Sequence, residues 1–258
     1  MTRPLSGARA VLVDLEGTVY QAGRPVAGAA DALAALTRAG IGHAFITNTT
    51  SRPRSQLVKE LAAMGIAADA RRILTAPRAA RDYLLARGRR RCHLMVRAAV
   101  LEDFGGIEHT DDSPDAVVVG DLGKEFSFER LNRAFRLLLS GAEFVTLARN
   151  RFYRAAEGLV LDQGPFVAAL EHAAGRTATL VGKPSAEFFG SALKLLGADP
   201  ARTVVVGDDL DVDVGGAQAL GMRGALVRTG KFREEDFARS AVRPDAVIDS
   251  LADLPTLL

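Results

Sequence analysis

Apolar and polar positions alternate along the chain in a regular way. AVLVDL (10–15) is a β-branched apolar run bounded by polar residues, which predicts a strand buried on both faces. GAADALAALTRAG (28–40) has apolar residues at helical spacing and stops at Gly40. HAFITN (43–48) predicts the next strand, and a helix follows from Pro53, a favoured first-turn residue, to Gly65. Another helix is expected from about Thr75 to Gly88. Farther on, ATLVG (178–182), RTVVVGD (202–208) and GALVRTG (224–230) predict three more strands, with helices at 185–197 and 212–221. Strand–helix alternation of this kind implies right-handed crossovers and a parallel sheet flanked by helices.

Between these halves lies a second α/β set. RRRCHLMVR and a loop-like acidic stretch (103–114) lead into DAVVVG (115–120), a helix over 127–140, EFVTLAR (143–149) and a helix over 165–174. That span has the size of a small domain. The expected organisation is α/β: a Rossmann-like parallel-sheet core from residues 1–81 and 179–258, with an α/β domain inserted over 82–178.

Composition changes the picture mainly by exclusion. With 258 residues, 48% hydrophobic and 25% charged, the chain reads as an ordinary globular protein of one large or two medium domains. A net charge of +2 gives no bulk field for nucleic acid or membrane, and no run is long enough to span a bilayer. RGRRR (87–91) is short and lacks interleaved aromatics, so it reads as a solvated helix end or linker. The one cysteine, Cys92, forms no intrachain disulfide and reads as a core residue. MTRPLSGARA contains no signal-peptide-like apolar segment, so the cytoplasm is the expected compartment. His43, His93, His109 and His172 show no metal-ligand spacing.

The chemistry gathers at strand ends, where open parallel sheets bind ligands. Four polar clusters fall there: Asp14-Leu15-Glu16-Gly17-Thr18, Thr47-Asn48-Thr49-Thr50, Gly182-Lys183-Pro184, and the acidic run from Asp208 and Asp209 through Asp211 to Asp213. Crowded carboxylates call for a cation, and hard oxygen ligands suit Mg2+. The Thr47 hydroxyl and Lys183 ammonium suit phosphate oxygens. Together these specify phosphoryl transfer. Each cluster alone has a bland alternative, as a turn, a helix cap or a surface lysine. Asp209, Asp211 and Asp213 mimic an EF-hand start, but Val214 and Leu220 stand where Gly and Glu are required. No GxGxxG follows a strand.

VLVDLEGTVY resembles the first motif of the haloacid dehalogenase-like hydrolase superfamily, FITN the second, GKP the lysine motif and VVVGDDLDVDVGG the acidic fourth. The inserted domain resembles the large α/β cap of the NagD-like subfamily. ARNRFYRAAEGLVLDQGPFVAALEHA, VVGDDLDVDVGGAQALGM and VRTGKFREED extend the likeness over essentially the whole chain. The resemblance implies that Asp14 is a nucleophile forming an aspartyl-phosphate. It implies that Asp14, the backbone carbonyl of Glu16 and Asp208 hold Mg2+, with Asp213 orienting the ligands and Asp209 supporting them. Thr47, Asn48 and Lys183 would bind the phosphoryl group of a small phosphorylated substrate. In the inserted domain Arg149, Arg151, Tyr153 and Arg154 lie close in sequence. Arg151 is the candidate for substrate contact, the alternative being a solvated strand edge. Subfamily members often dimerise through the cap, so a homodimer is a possible partner arrangement.

Glu16 departs from the pattern of many superfamily phosphatases, where the resemblance implies an acid–base Asp; several close relatives carry a Ser there instead. The Glu16 carboxyl sits one methylene, about 1.5 Å, further out than that of an Asp. A misplacement of about 1 Å can lower a rate roughly 10²-fold, and general acid–base catalysis is worth about 10²–10⁴-fold. Either a rotamer change restores the acid, or the enzyme favours labile phosphates such as pyrophosphate, acyl phosphates or phosphohistidine. The rival from another class is a catalytically weak phosphate- or partner-binding protein of the same fold. Carbon–halogen cleavage needs no Mg2+ and is disfavoured by the acidic run. Carbon–phosphorus cleavage would want a Schiff-base lysine, and Lys124 is the sole lysine in the expected insertion.

Overall fold

The computed structural model describes residues 3–155 and 158–258, which divide into two compact units. The first comprises Met1–Thr47, Ser55–Leu74 and Lys183–Leu258, and the second Asn48–Arg54 and Thr75–Gly182.

In the first unit a six-stranded sheet runs in the order Ala246–Ile248, Arg223–Val227, Thr203–Gly207, Ala10–Asp14, Gly42–Thr47, Ile73–Thr75. Ala10–Asp14 is parallel to both neighbours, with Val13 opposite Val206 and Phe45. All five of its residues are buried, because successive side chains go to opposite covered faces. Val11, Val13, Phe45, Val204 and Val206 join a core with Ala29, Ala32, Leu33 and Leu36. Those last four follow the i, i+3, i+4, i+7 rhythm along the helix Ala29–Arg38. The helix Ala186–Leu196 meets Gly42–Thr47 and buries Phe188, Phe189, Ala192 and Leu193. Its start is fixed by Ser185, whose hydroxyl accepts from the Phe188 N–H at 3.2 Å.

The second unit holds a five-stranded parallel sheet ordered Thr179–Leu180, Glu143–Thr146, Ala116–Val119, Arg91–Met95, Glu108–His109. Period-two burial splits it into two cores. Ala116 and Val118 face Ala76, Ala80, Leu84 and Cys92, whereas Val117 and Val119 face Ala134, Leu138, Val167 and Leu170. Phe152–Ala155 and Gly158–Leu161 form a separate antiparallel hairpin.

Three expectations change. ATLVG was expected in the core sheet, but Thr179–Leu180 pairs with Val145 and Thr146 at the edge of the second sheet. The helix Ala76–Ala86 belongs with the second unit, since Ala76, Ala80, Tyr83 and Leu84 are buried against Leu94, Val118 and Val145. The second unit takes in Thr75–Gly182 together with Asn48–Arg54, whereas the sequence pattern set the inserted domain at 82–178. The helix expected over 212–221 is a π-helical turn, Leu210–Gly215, followed by a single turn Gly216–Gln218. Asp209 causes this. Its Oδ1 accepts from the Val212 N–H at 3.1 Å while its own N–H donates to Asp213 Oδ2 at 3.2 Å, which bends Asp213 back toward the strand end.

Candidate active site

Parallel strands deliver their carboxyl ends to one edge. Asp14 is the last residue of the central strand, Thr47 the last of one neighbour, and Asp208 follows the other at Gly207. Asp14, Asp208 and Asp213 are all buried, and each offers an oxygen within 4.8 Å of the others. The Lys183 ammonium, itself only 5% exposed, donates to Asp14 Oδ1 at 2.5 Å and to Asp213 Oδ1 at 2.7 Å.

One ammonium does not balance three buried carboxylates. Burial pushes the Asp14 carboxyl up to about 7, with Asp213 and Asp208 adding to the rise and Lys183 opposing it. Burial likewise pushes Asp208 up to about 6, helped by Asp213 and opposed by the Lys231 N–H. Burial acts to lower Lys183, but Asp14 and Asp213 outweigh it and the ammonium is held above its ordinary value. Lys183 therefore stays cationic, and the charge left over on the carboxylates is what a divalent ion would neutralise. Asp14, Asp208 and Asp213 are the carboxylates that could offer an oxygen to such an ion.

Asp208 is held tightly. Its Oδ2 accepts from the Lys231 N–H at 2.8 Å. Gly17 and Gly230 have φ of +87° and +68°, and a Cβ on either would run into the Asp208 carboxylate. Thr229 Oγ1 donates to the Gly17 carbonyl at 2.5 Å. Asp209 Oδ2 accepts from Lys231 Nζ at 3.1 Å. Lys231, Thr229 and Gly230 were not singled out from sequence. They lie in VRTGKFREED, a segment that carries the family likeness, but no role was attached to any of the three.

The remaining candidates are placed differently. Glu16 is exposed and outside the three-aspartate cluster; its Oε1 accepts from the Ala22 N–H at 2.9 Å. Thr47 is buried in the first unit. Asn48, the next residue, belongs to the second unit, where its Oδ1 lies close against Gly182. Arg151 is exposed in the second unit just before Phe152–Ala155. Arg149 is occupied structurally, bonded to Glu171 at 2.6 Å and to the Ala178 carbonyl at 3.0 Å. The Arg154 side chain lies outside what the structure describes.

With this geometry in view, comparison with known proteins fixes the class. A haloacid dehalogenase-like hydrolase model matches residues 11–107, and a HAD-hydrolase-like model matches 180–254. The human phospholysine phosphohistidine inorganic pyrophosphate phosphatase is 38% identical over 260 residues, spanning 98% of this chain and 95% of that one. The human haloacid dehalogenase-like hydrolase domain-containing protein 2 is 44% identical over 228 residues, 88% of this chain and 87% of that one. Among solved structures, 4-nitrophenylphosphatase from Thermotoga maritima superposes with a TM-score of 0.91 at 28% identity, covering 98% of both chains. NagD from E. coli K-12 gives 0.88 at 25%, also covering 98% of both. The chain belongs to the haloacid dehalogenase-like hydrolase family, and its fold is that of the NagD-like phosphatases.

Proposed function

We propose that this chain is a Mg2+-dependent phosphatase that hydrolyses a small phosphorylated compound through a phosphoryl group carried on Asp14. The observation that carries the reading is the buried Lys183 ammonium set between the Asp14 and Asp213 carboxylates, with Asp208 beside them. An Asp14 oxygen attacks phosphorus. The bond to the leaving oxygen or nitrogen breaks, and that atom departs with the electron pair and takes a proton. Water then attacks the aspartyl-phosphate, gives up a proton, and releases orthophosphate and the Asp14 carboxylate. Lys183 restrains Asp14 and, with Thr47, donates to the phosphoryl oxygens. Asp14, Asp208 and the Glu16 carbonyl would hold Mg2+, oriented by Asp213. When bound, the ion neutralises charge on the transferring group. Asp209 acts through Lys231 and the Val212 turn. Arg151 is the substrate-selecting candidate of the second unit.

The Glu16 carboxylate, occupied by Ala22, favours substrates whose leaving groups depart without help. The names of the human relative, with its phosphoramidate and phosphoanhydride substrates, point the same way. The test is phosphate release with Mg2+ from pyrophosphate, phosphoimidazole and a set of sugar and alkyl monophosphates, comparing wild type with Asp14→Asn. We expect release that Asp14→Asn abolishes, fastest from the first two. Equal rates on alkyl monophosphates would overturn the substrate class. No Asp14-dependent release from any compound would favour the phosphate-binding alternative.

A further inference from the structure

The hairpin that follows Asp14 closes on a weak turn. Tyr20–Gln21 pairs antiparallel with Arg24–Pro25, leaving Ala22 and Gly23 as the two turn residues. Both have positive φ, 50° and 75°. Tight hairpins favour that geometry, but with Asn or Asp before the Gly; alanine has neither their tolerance of left-handed backbone nor their local hydrogen bond. The Ala22 N–H is nevertheless engaged, because it donates to Glu16 Oε1 at 2.9 Å. The stem of the same loop leads into the site. The Gly17 N–H donates to the Tyr20 carbonyl at 2.7 Å, the Gly17 carbonyl accepts from Thr229, and Gly17 packs on the Asp208 carboxylate.

We propose that Glu16 is a positioning residue. Its carboxylate latches the Ala22 N–H, holds the 20–25 hairpin in a turn that Ala22 alone stabilises poorly, and so fixes the backbone at 16 and 17 beside Asp14 and Asp208. This rests on the phosphatase reading above and replaces proton transfer as the work of this side chain. It also explains the extra methylene. An aspartate would fall about 1.5 Å short of Ala22, whereas glutamate spans the gap.

Latch and acid make opposite rankings. Glu16→Gln keeps the length and an acceptor oxygen but transfers no proton, whereas Glu16→Asp keeps the acid and loses the reach. The experiment measures Ala22 amide exchange by NMR, together with kcat and KM for pyrophosphate at saturating Mg2+, in wild type, Glu16→Gln, Glu16→Asp and Glu16→Ala. The Ala22 amide should exchange about tenfold faster in the Asp and Ala variants and stay within about threefold in the Gln variant. The kcat order should be wild type, Gln, Asp. Adding Ala22→Asn, which suits the turn, should recover part of the kcat lost in Glu16→Ala. A Gln variant slower than the Asp variant, or unchanged Ala22 exchange in Glu16→Ala, would overturn the latch. If wild type releases no phosphate, the phosphatase reading fails, while the amide exchange still reports on the latch alone.

Discussion

Asp208 is fixed less by bonds to its own side chain than by the absence of side chains around it. Gly40 and Gly230 share a φ of +68°, so alanine strains the backbone equally at both. A Cβ at Gly40 meets nothing within 4 Å, whereas one at Gly230 collides with the Asp208 carboxylate and the Gly17 backbone. Gly40→Ala should lower stability by about 1–2 kcal/mol and leave phosphate release per folded molecule intact. Gly230→Ala should add a loss of about 10²-fold in release, the scale of a displacement near 1 Å. Urea unfolding and steady-state kinetics on the pair would check this; equal kinetics would mean that Asp208 tolerates displacement. Asp14, Thr47 and Asp208 were visible in the sequence at strand ends because a buried apolar run that stops at a polar residue marks the edge where ligands bind. The Lys231 N–H on Asp208 and the Ala22 N–H on Glu16 left no such mark. A backbone donor has no residue identity, and both contacts join segments whose relation only the fold supplies.

At the scale of elements, periodicity succeeded where a helix or strand was long enough to show it. Ala29–Arg38, Phe128–Leu139 and Ala186–Leu196 lie within their expected ranges, since each repeats its apolar stripe more than once. Ile73–Thr75, Ala246–Ile248 and the two hairpins went unread, because two to four residues do not display a period. ATLVG was assigned the right structure but the wrong sheet, as pairing is not encoded in one strand's own pattern. The stripe also grades what its members contribute. Leu33 is 5% exposed in the first core, while Leu139 is 62% exposed at the end of its helix. Leu33→Ala should destabilise by about 2–5 kcal/mol in urea and Leu139→Ala by about 0.5 kcal/mol or less. Comparable losses would show that Leu139 is covered in solution.

At the scale of the whole molecule, net charge conceals the decisive imbalance. The chain carries 33 basic and 31 acidic side chains, yet three carboxylates are buried beside one ammonium. An unfolded aspartate loses its proton near pH 4. Without a divalent ion the folded protein keeps the Asp14 proton to about 7 and the Asp208 proton to about 6. Over that window the native state binds more protons than the unfolded one, so these two groups make stability fall as pH rises from about 4 to about 7. His43 and His93, held below their ordinary values chiefly by burial, contribute in the opposite direction. The informative quantity is therefore the Mg2+-dependent shift in melting temperature at each pH. Mg2+ binds the ionised carboxylates and competes with their protons, so it should raise the melting temperature more at pH 8 than at pH 5. At a hundred times its Kd the gain at pH 8 is about 2.7 kcal/mol, several degrees for a domain of this size. Asp208→Asn should shrink the Mg2+ shift and flatten its pH dependence, and EDTA should reverse the shift in wild type. An equal Mg2+ shift at both pH values, or one that survives Asp208→Asn undiminished, would place the ion away from these three aspartates and leave their buried charge without its counterion.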